Sequence, residues 1–147
     1  MKKIWLVMLL SSFGVNAHVL FNNTQIRALP PGVPNTAAYF EVTNDTDTAI
    51  TFVSGEADFA KRVEIHTHEQ SGDMMQMRKL DSITVNAHET LVFQPGGLHV
   101  MLLGLTGSVK PGEHRQVTLI SATGNRYSFT AVAVKPGETM SMHSHQH

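Results

Sequence analysis

The sequence contains no cysteine. An exported chain of this kind has no disulfide framework and no thiolate to hold a metal, so any soft-metal site must rely on methionine. Charge of one sign is not in excess either. Eleven basic residues face 12 acidic ones, which removes the electrostatic case for nucleic acid or an anionic membrane as a partner. No apolar run reaches the roughly 20 residues of a spanning helix, so membrane insertion is not expected. Long amphipathic helices, internal repeats and interdomain linkers are also missing from the pattern. No nucleophile–base pair, phosphate-cradling loop or carboxylate dyad stands out, and the chain is not expected to be an enzyme.

What is present begins with a secretory leader. Lys2 and Lys3 precede an apolar run from Ile4 to Leu10, and Val15-Asn16-Ala17 supplies the small-residue cleavage end. Residues 1–17 are therefore expected to be removed, placing the mature protein in the periplasm with His18 first. The remaining 130 residues carry a formal charge of −3 and are long enough to bury one core.

Short runs rich in Val, Ile, Thr, Phe and Tyr then alternate with Gly, Pro, Asn and Asp, an all-β rhythm. Strands are expected near Ala38–Thr43, Ile50–Ser54, Arg62–His68, Met75–Lys79, Leu91–Gln94, His99–Leu103, Gln116–Ser121 and Tyr127–Val134. Asn44-Asp45, Ser71-Gly72-Asp73, Pro95-Gly96-Gly97, Lys110-Pro111-Gly112 and Thr123-Gly124-Asn125 supply the turns. The domain is expected to span residues 18–134, followed by a flexible tail over 135–147.

The chemistry-bearing residues are clustered. After the leader, the methionines are Met74, Met75, Met77, Met101, Met140 and Met142, and histidines accompany both groups. Strand parity puts Val63 and Ile65 on one face and Glu64, His66 and His68 on the other. The same rule separates Leu98, Val100 and Leu102 from His99 and Met101. Met75 and Met77 repeat the i, i+2 relation on a segment that the Ser71–Asp73 turn folds back. Imidazole with neutral, soft thioether favours Cu(I) over harder divalent ions. Glu64 is expected to be a solvated strand residue and His88 and His114 surface residues; His68 and Met75, on the ligand face, read either as spare ligands or as outer groups around the site.

The spacing His66, ten residues, Met77, twenty-one residues, His99, one residue, Met101 resembles the signature of the PCuAC family of periplasmic copper chaperones. Similarity extends through Arg27-Ala28-Leu29-Pro30-Pro31-Gly32, Val63-Glu64-Ile65-His66 and Gln94-Pro95-Gly96-Gly97-Leu98-His99-Val100-Met101. The resemblance implies a single-domain, cupredoxin-like Greek-key β-sandwich that binds Cu(I) through His66, Met77, His99 and Met101. It further implies a monomer that hands copper to an acceptor, either cytochrome c oxidase subunit II with its CuA centre or a thiol-bearing assembly protein. Met140, Met142, His143, His145 and His147 have the composition of a second, metal-capturing tract open to Cu(II). Two other readings use the same residues: copper sequestration for resistance, and a copper oxidase or oxygenase built on the mature N-terminal His18.

Overall fold

The computed structural model describes residues 18–138. The expected leader and the tail residues Met140, Met142, His143, His145 and His147 lie outside the described residues. The described chain is all-β, with ten strands: β1 (Val19–Arg27), β2 (Asn35–Asn44), β3 (Ile50–Glu56), β4 (Ala60–Ser71), β5 (Met74–Leu80), β6 (Ile83–Val85), β7 (Thr90–Phe93), β8 (His99–Leu105), β9 (His114–Ser121) and β10 (Arg126–Val134). Eight of them stand where the sequence puts them, with ends that differ by a few residues. β1 and β6 are additional.

Strands β4, β8, β2, β1, β10, β9 and β3 follow one another around the molecule, and a β3–β4 contact at Gly55 and Val63 closes the ring. The described neighbours run antiparallel except β1 and β10. Closure requires glycine at position 55. A Cβ there would lie 2.7 Å from Val63 Cγ1 and 2.8 Å from the Thr118 carbonyl, both below normal contact distance, so any side chain would force β3 off β4 or β9.

Alternation sorts each strand into an inner and an outer face. Ala38, Phe40 and Val42 of β2, Val63 and Ile65 of β4, Val100 and Leu102 of β8, and Val117 and Leu119 of β9 all enter the core. Three phenylalanines, Phe40, Phe93 and Phe129, meet in it, and a fourth, Phe21, packs against them from its edge. The Phe40 ring lies 4.5 Å from Phe93 and 4.6 Å from Phe129, and Phe21 lies 4.7 Å from Phe129, centroid to centroid. Each ring comes from a different strand, so the cluster ties β1, β2, β7 and β10 together.

One polar side chain is buried for a structural purpose. Asn44 donates from Nδ2 to the carbonyls of Thr48 and Val85, while its Oδ1 accepts from the Thr46 N–H and hydroxyl. The turn read at Asn44-Asp45 is thus fastened across to β6 by a fully satisfied amide.

Replacing Phe40 with alanine should cost about 3–5 kcal/mol of stability, the range for emptying a closed aromatic site. Urea unfolding followed by far-UV circular dichroism measures it. A loss below about 1 kcal/mol would show that the core can collapse around the missing ring.

Candidate metal centre

β4 is long enough to serve two neighbours. Its first half pairs with β8, placing Glu64 opposite Met101 and His66 opposite His99. Its second half continues with β5, where His68 faces Met77 and His66 also faces Lys79. Because Val63 and Ile65 point into the core, Glu64, His66 and His68 must point out of it. The result is a diagonal of polar and soft groups across three adjacent strands. β2 extends it on the far side of β8, setting Ala37 opposite Met101, and β1 lies beyond β2.

The turn before β8 aims the key imidazole. Gly97 donates its N–H to the Gln94 carbonyl at 3.0 Å, Gln94 donates to Leu98 O at 2.8 Å, and Gly96 adopts φ +83°, a backbone angle that suits glycine. The Gly97 carbonyl is thereby brought within 2.9 Å of His99 Nδ1. A carbonyl can only accept, so the Nδ1 position carries the proton and the Nε2 lone pair is free. His99 is 2% exposed. Burial pushes its pKa below the ordinary histidine value against the opposing Gly97 hydrogen bond, and His68, His66 and Arg27 add positive surroundings in the same direction.

His66 has the opposite arrangement. Its Nε2 lies 3.0 Å from Glu64 Oε1, so Nε2 carries the proton and Nδ1 presents the lone pair. That Nδ1 is buried and has no hydrogen-bond partner, and His68 Nδ1 is in the same position. Buried, unpartnered imidazole nitrogens are costly unless something binds them. A metal ion would satisfy them, and a carboxylate on the opposite ring nitrogen is the usual outer partner of a ligating histidine.

Glu64 corrects the sequence expectation of a solvated residue. Its side chain is only 16% exposed, with Arg62 at 3.7 Å and Lys79 at 3.8 Å as further partners. The His66 hydrogen bond, helped by the two cations and opposed by burial, holds its carboxyl below the usual range. The sequence signal was the spacing Glu64-x-His66, which places both groups on one face.

A cleft of about 360 Å³ opens in front of this diagonal, lined by His68, Met77, His99 and Met101 together with Arg27 and Tyr39. Three of the four expected ligands therefore share one cavity. His66 is not among the residues that line it, and its ring centroid lies 5.8 Å from that of His99. His68, a spare donor on the sequence reading, comes nearer, at 5.0 Å. Met77 is half-exposed on β5, and Met74 and Met75 lie further out and more exposed. A larger depression of about 460 Å³, lined by residues including Glu56, Lys61, Arg62 and Arg126, holds neither imidazole nor thioether. Among the described residues no three His, Asp or Glu side chains gather as a metal site, so thioethers have to complete any coordination shell formed here. Imidazole plus thioether is the donor set of a soft, low-charge ion.

Fold and site together define an all-β domain of the cupredoxin-like class with a soft His/Met cleft on its outer face. The family model described as "Putative lipoprotein LpqE-like" matches residues 19–143. The chain belongs to this LpqE-like family, which is of the PCuAC type. A curated relative, "Putative lipoprotein Lxx21020" of Leifsonia xyli subsp. xyli (strain CTCB07), is 31% identical over 101 residues, 68% of this chain. The match spans 60% of that relative's length. Among solved structures, the copper(I) form of DR1885 from Deinococcus radiodurans is similar at 31% identity and TM-score 0.65, covering 83% of each chain. The copper-bound PCuAC domain of PmoF2 superposes with TM-score 0.66 over 81% of this chain and 99% of its own at 18% identity, a likeness of fold.

The two tautomers and the depressed His99 pKa are directly measurable. Long-range nitrogen–proton NMR of the metal-free protein should show His99 protonated at Nδ1 and His66 at Nε2, with His99 charging below pH ~6.5. The sign for stability follows. The unfolded chain binds the His99 proton first, so stability present above pH ~6.5 is lost as the pH falls through the folded-state value. A His99 that titrates at or above the ordinary value would contradict the burial argument.

Proposed function

We propose that this protein is a periplasmic copper carrier that holds Cu(I) through His66, Met77, His99 and Met101 and passes it to an acceptor by ligand exchange. The observation that carries the reading is the pair of oppositely fixed imidazoles, His99 with a free Nε2 and His66 with a free, buried and unpartnered Nδ1, beside two thioethers on adjacent strands. Thioether carries no proton and imidazole binds through a ring lone pair in its uncharged form, so none of the four donors brings a negative charge and the ion keeps its single positive charge. Without thiolate the site grips Cu(I) less tightly than a cysteine site, which suits delivery along a gradient of affinity.

Transfer would begin at Met77, the most exposed of the four and carried on an outer strand, with an incoming donor taking its place before the barrel-held His99 and Met101 let go. We infer that the acceptor is a CuA centre of cytochrome c oxidase subunit II or a thiol-bearing assembly protein that feeds it, in keeping with the family resemblance. The copper-bound state of the similar DR1885 and PmoF2 structures supports the copper assignment. The leader-like residues 1–17 support export, and the Met/His tract from Met140 to His147 supports a second site open to Cu(II). His18, on which an oxidase or oxygenase reading depends, is exposed at the start of β1 and does not line the cleft.

Anaerobic Cu(I) titration of residues 18–147 against a chromophoric competitor tests the assignment. One tight equivalent should survive truncation at Val134 and vanish in His99→Ala with Met101→Ala. Glu64→Ala should weaken the same equivalent about 10–100-fold, the usual cost of removing an outer partner of a metal-bound histidine. Tight binding that follows the tail and ignores His99 and Met101 would overturn the ligand set.

A further inference from the structure

Arg27 is the one arginine among the described residues with no ion pair. Arg62 meets Glu64, Arg78 meets Glu69, Arg115 meets Glu113 and Arg126 meets Glu56, whereas Arg27 faces the cleft that holds His68, Met77, His99 and Met101. Its Nε is buried without a hydrogen-bond partner. The residue is nevertheless held in place. Its carbonyl accepts the Thr36 hydroxyl at 2.6 Å, and its guanidinium lies 5.7 Å from the centre of the Tyr39 ring. Arg27 also ends the register of β1 against β10, opposite Val134, which fixes the position of its backbone beside the cleft that its side chain lines.

A positioned guanidinium with no carboxylate partner, beside neutral ligands, has two chemical consequences. It disfavours added positive charge in the cleft, and it attracts an anion to within reach of the ligands. The metal-binding groups themselves are neutral and give Arg27 nothing to pair with.

We propose that Arg27 is the seat for an anionic group on the incoming copper acceptor, a carboxylate-, sulfonate- or thiolate-like group that docks on the guanidinium while the acceptor's donor atoms displace the first thioether. The inference rests on the copper-carrier reading and adds the charge of the partner at the point of exchange. A thiol approaching this position gains twice, since a neighbouring cation stabilises its thiolate, the form that binds copper. The exchange involves no redox step: Cu(I) stays Cu(I), one acceptor donor atom forms a bond as the Met77 thioether is released unchanged, a thiol losing its proton to solvent as it does so, and further acceptor donors replace Met101, His66 and His99 before the ion leaves.

The test uses two Cu(I) chelators of the same phenanthroline class, bathocuproine disulfonate, which is anionic, and neocuproine, which is uncharged. Copper release from the Cu(I)-loaded full chain is followed by stopped-flow absorbance for wild type, Arg27→Gln and Arg27→Lys. Arg27→Gln should slow release to the disulfonate about tenfold, in line with electrostatic steering at a cleft. Release to neocuproine should change little, Arg27→Lys should recover most of the loss, and added salt should erode the wild-type preference. Because each variant is read as the ratio between two chelators, a general loosening of the fold leaves the ratio unmoved. An unchanged ratio in Arg27→Gln overturns the seat while leaving the carrier reading intact. Failure of the wild-type chain to bind Cu(I) would overturn the carrier reading and this inference together.

Discussion

The register of β4 governs both the closure of the barrel and the chemistry on its outer face. Val63 must point inward to meet Gly55 where the ring closes, and that same parity sends Glu64, His66 and His68 outward, opposite Met101, His99 and Met77. A slip of one residue would bury a carboxylate and two imidazoles in an apolar core while exposing Val63 and Ile65, so register is enforced by the hydrophobic effect before any metal arrives. The donor atoms are consequently assembled by packing. Metal binding does not have to supply the energy that brings three strands together, and little folding free energy is at stake when the cargo leaves.

Burial then selects which charges the site tolerates. A dry, partly enclosed position penalises ionised groups, and the residues facing it respond accordingly. His99 is held neutral by burial, the thioethers carry no charge, and the one carboxylate, Glu64, is drawn away from the metal side to His66 Nε2, Lys79 and Arg62. Arg27 is left as the cation that faces the cleft. Neutral donors beside a fixed positive charge favour a monovalent soft ion over a divalent one, because each added unit of charge is repelled by Arg27 and no anionic ligand compensates it. In the proposed site two effects act in the same sense, the polarisability of sulfur and the electrostatics of the wall.

Much of this was legible before the fold was seen, and the limits have physical causes. Most of the eight strands that announced themselves carry β-branched or aromatic residues and are bounded by turn residues, while β5, with neither residue class, was legible from Met75 and Met77 at i, i+2 after the Ser71–Asp73 turn. β1 was not: Asn22 and Asn23 read as turn chemistry, and the strand accommodates them only through a bulge between Asn22 and Gln25, with Asn23 at φ 51°. β6 has three residues, too few to show a period. At the site, parity placed Glu64, His66 and His68 on one face of β4 and His99 and Met101 on one face of β8, because each of those relations depends on a single strand. The placement of His68 in the cleft, the withdrawal of Glu64 toward His66 and the unpaired state of Arg27 depend on how three or more strands stack side by side, and no local pattern encodes that.

The four proposed ligands differ in how firmly the fold holds them. His99 and Met101 sit on β8, bonded on both edges to β4 and β2, and His99 is packed until only 2% of it is exposed. Met77 belongs to β5, which has β4 as its one neighbour along the sheet, and its side chain is 53% exposed. Local opening is cheapest where few apolar contacts and few shared hydrogen bonds must be broken. In the proposed transfer the β4–β5 hairpin can therefore yield its thioether while the barrel holds the other donors in place, so that an acceptor would meet an ion still bound on its inner side and free on its outer side. A storage site gains nothing from such a gradient of rigidity, since every weak ligand only raises the rate of loss. A donor gains a defined first step, and His68, directly across from Met77 on β4 with an unpartnered Nδ1, stands where it can hold the ion from the inner side as that step occurs.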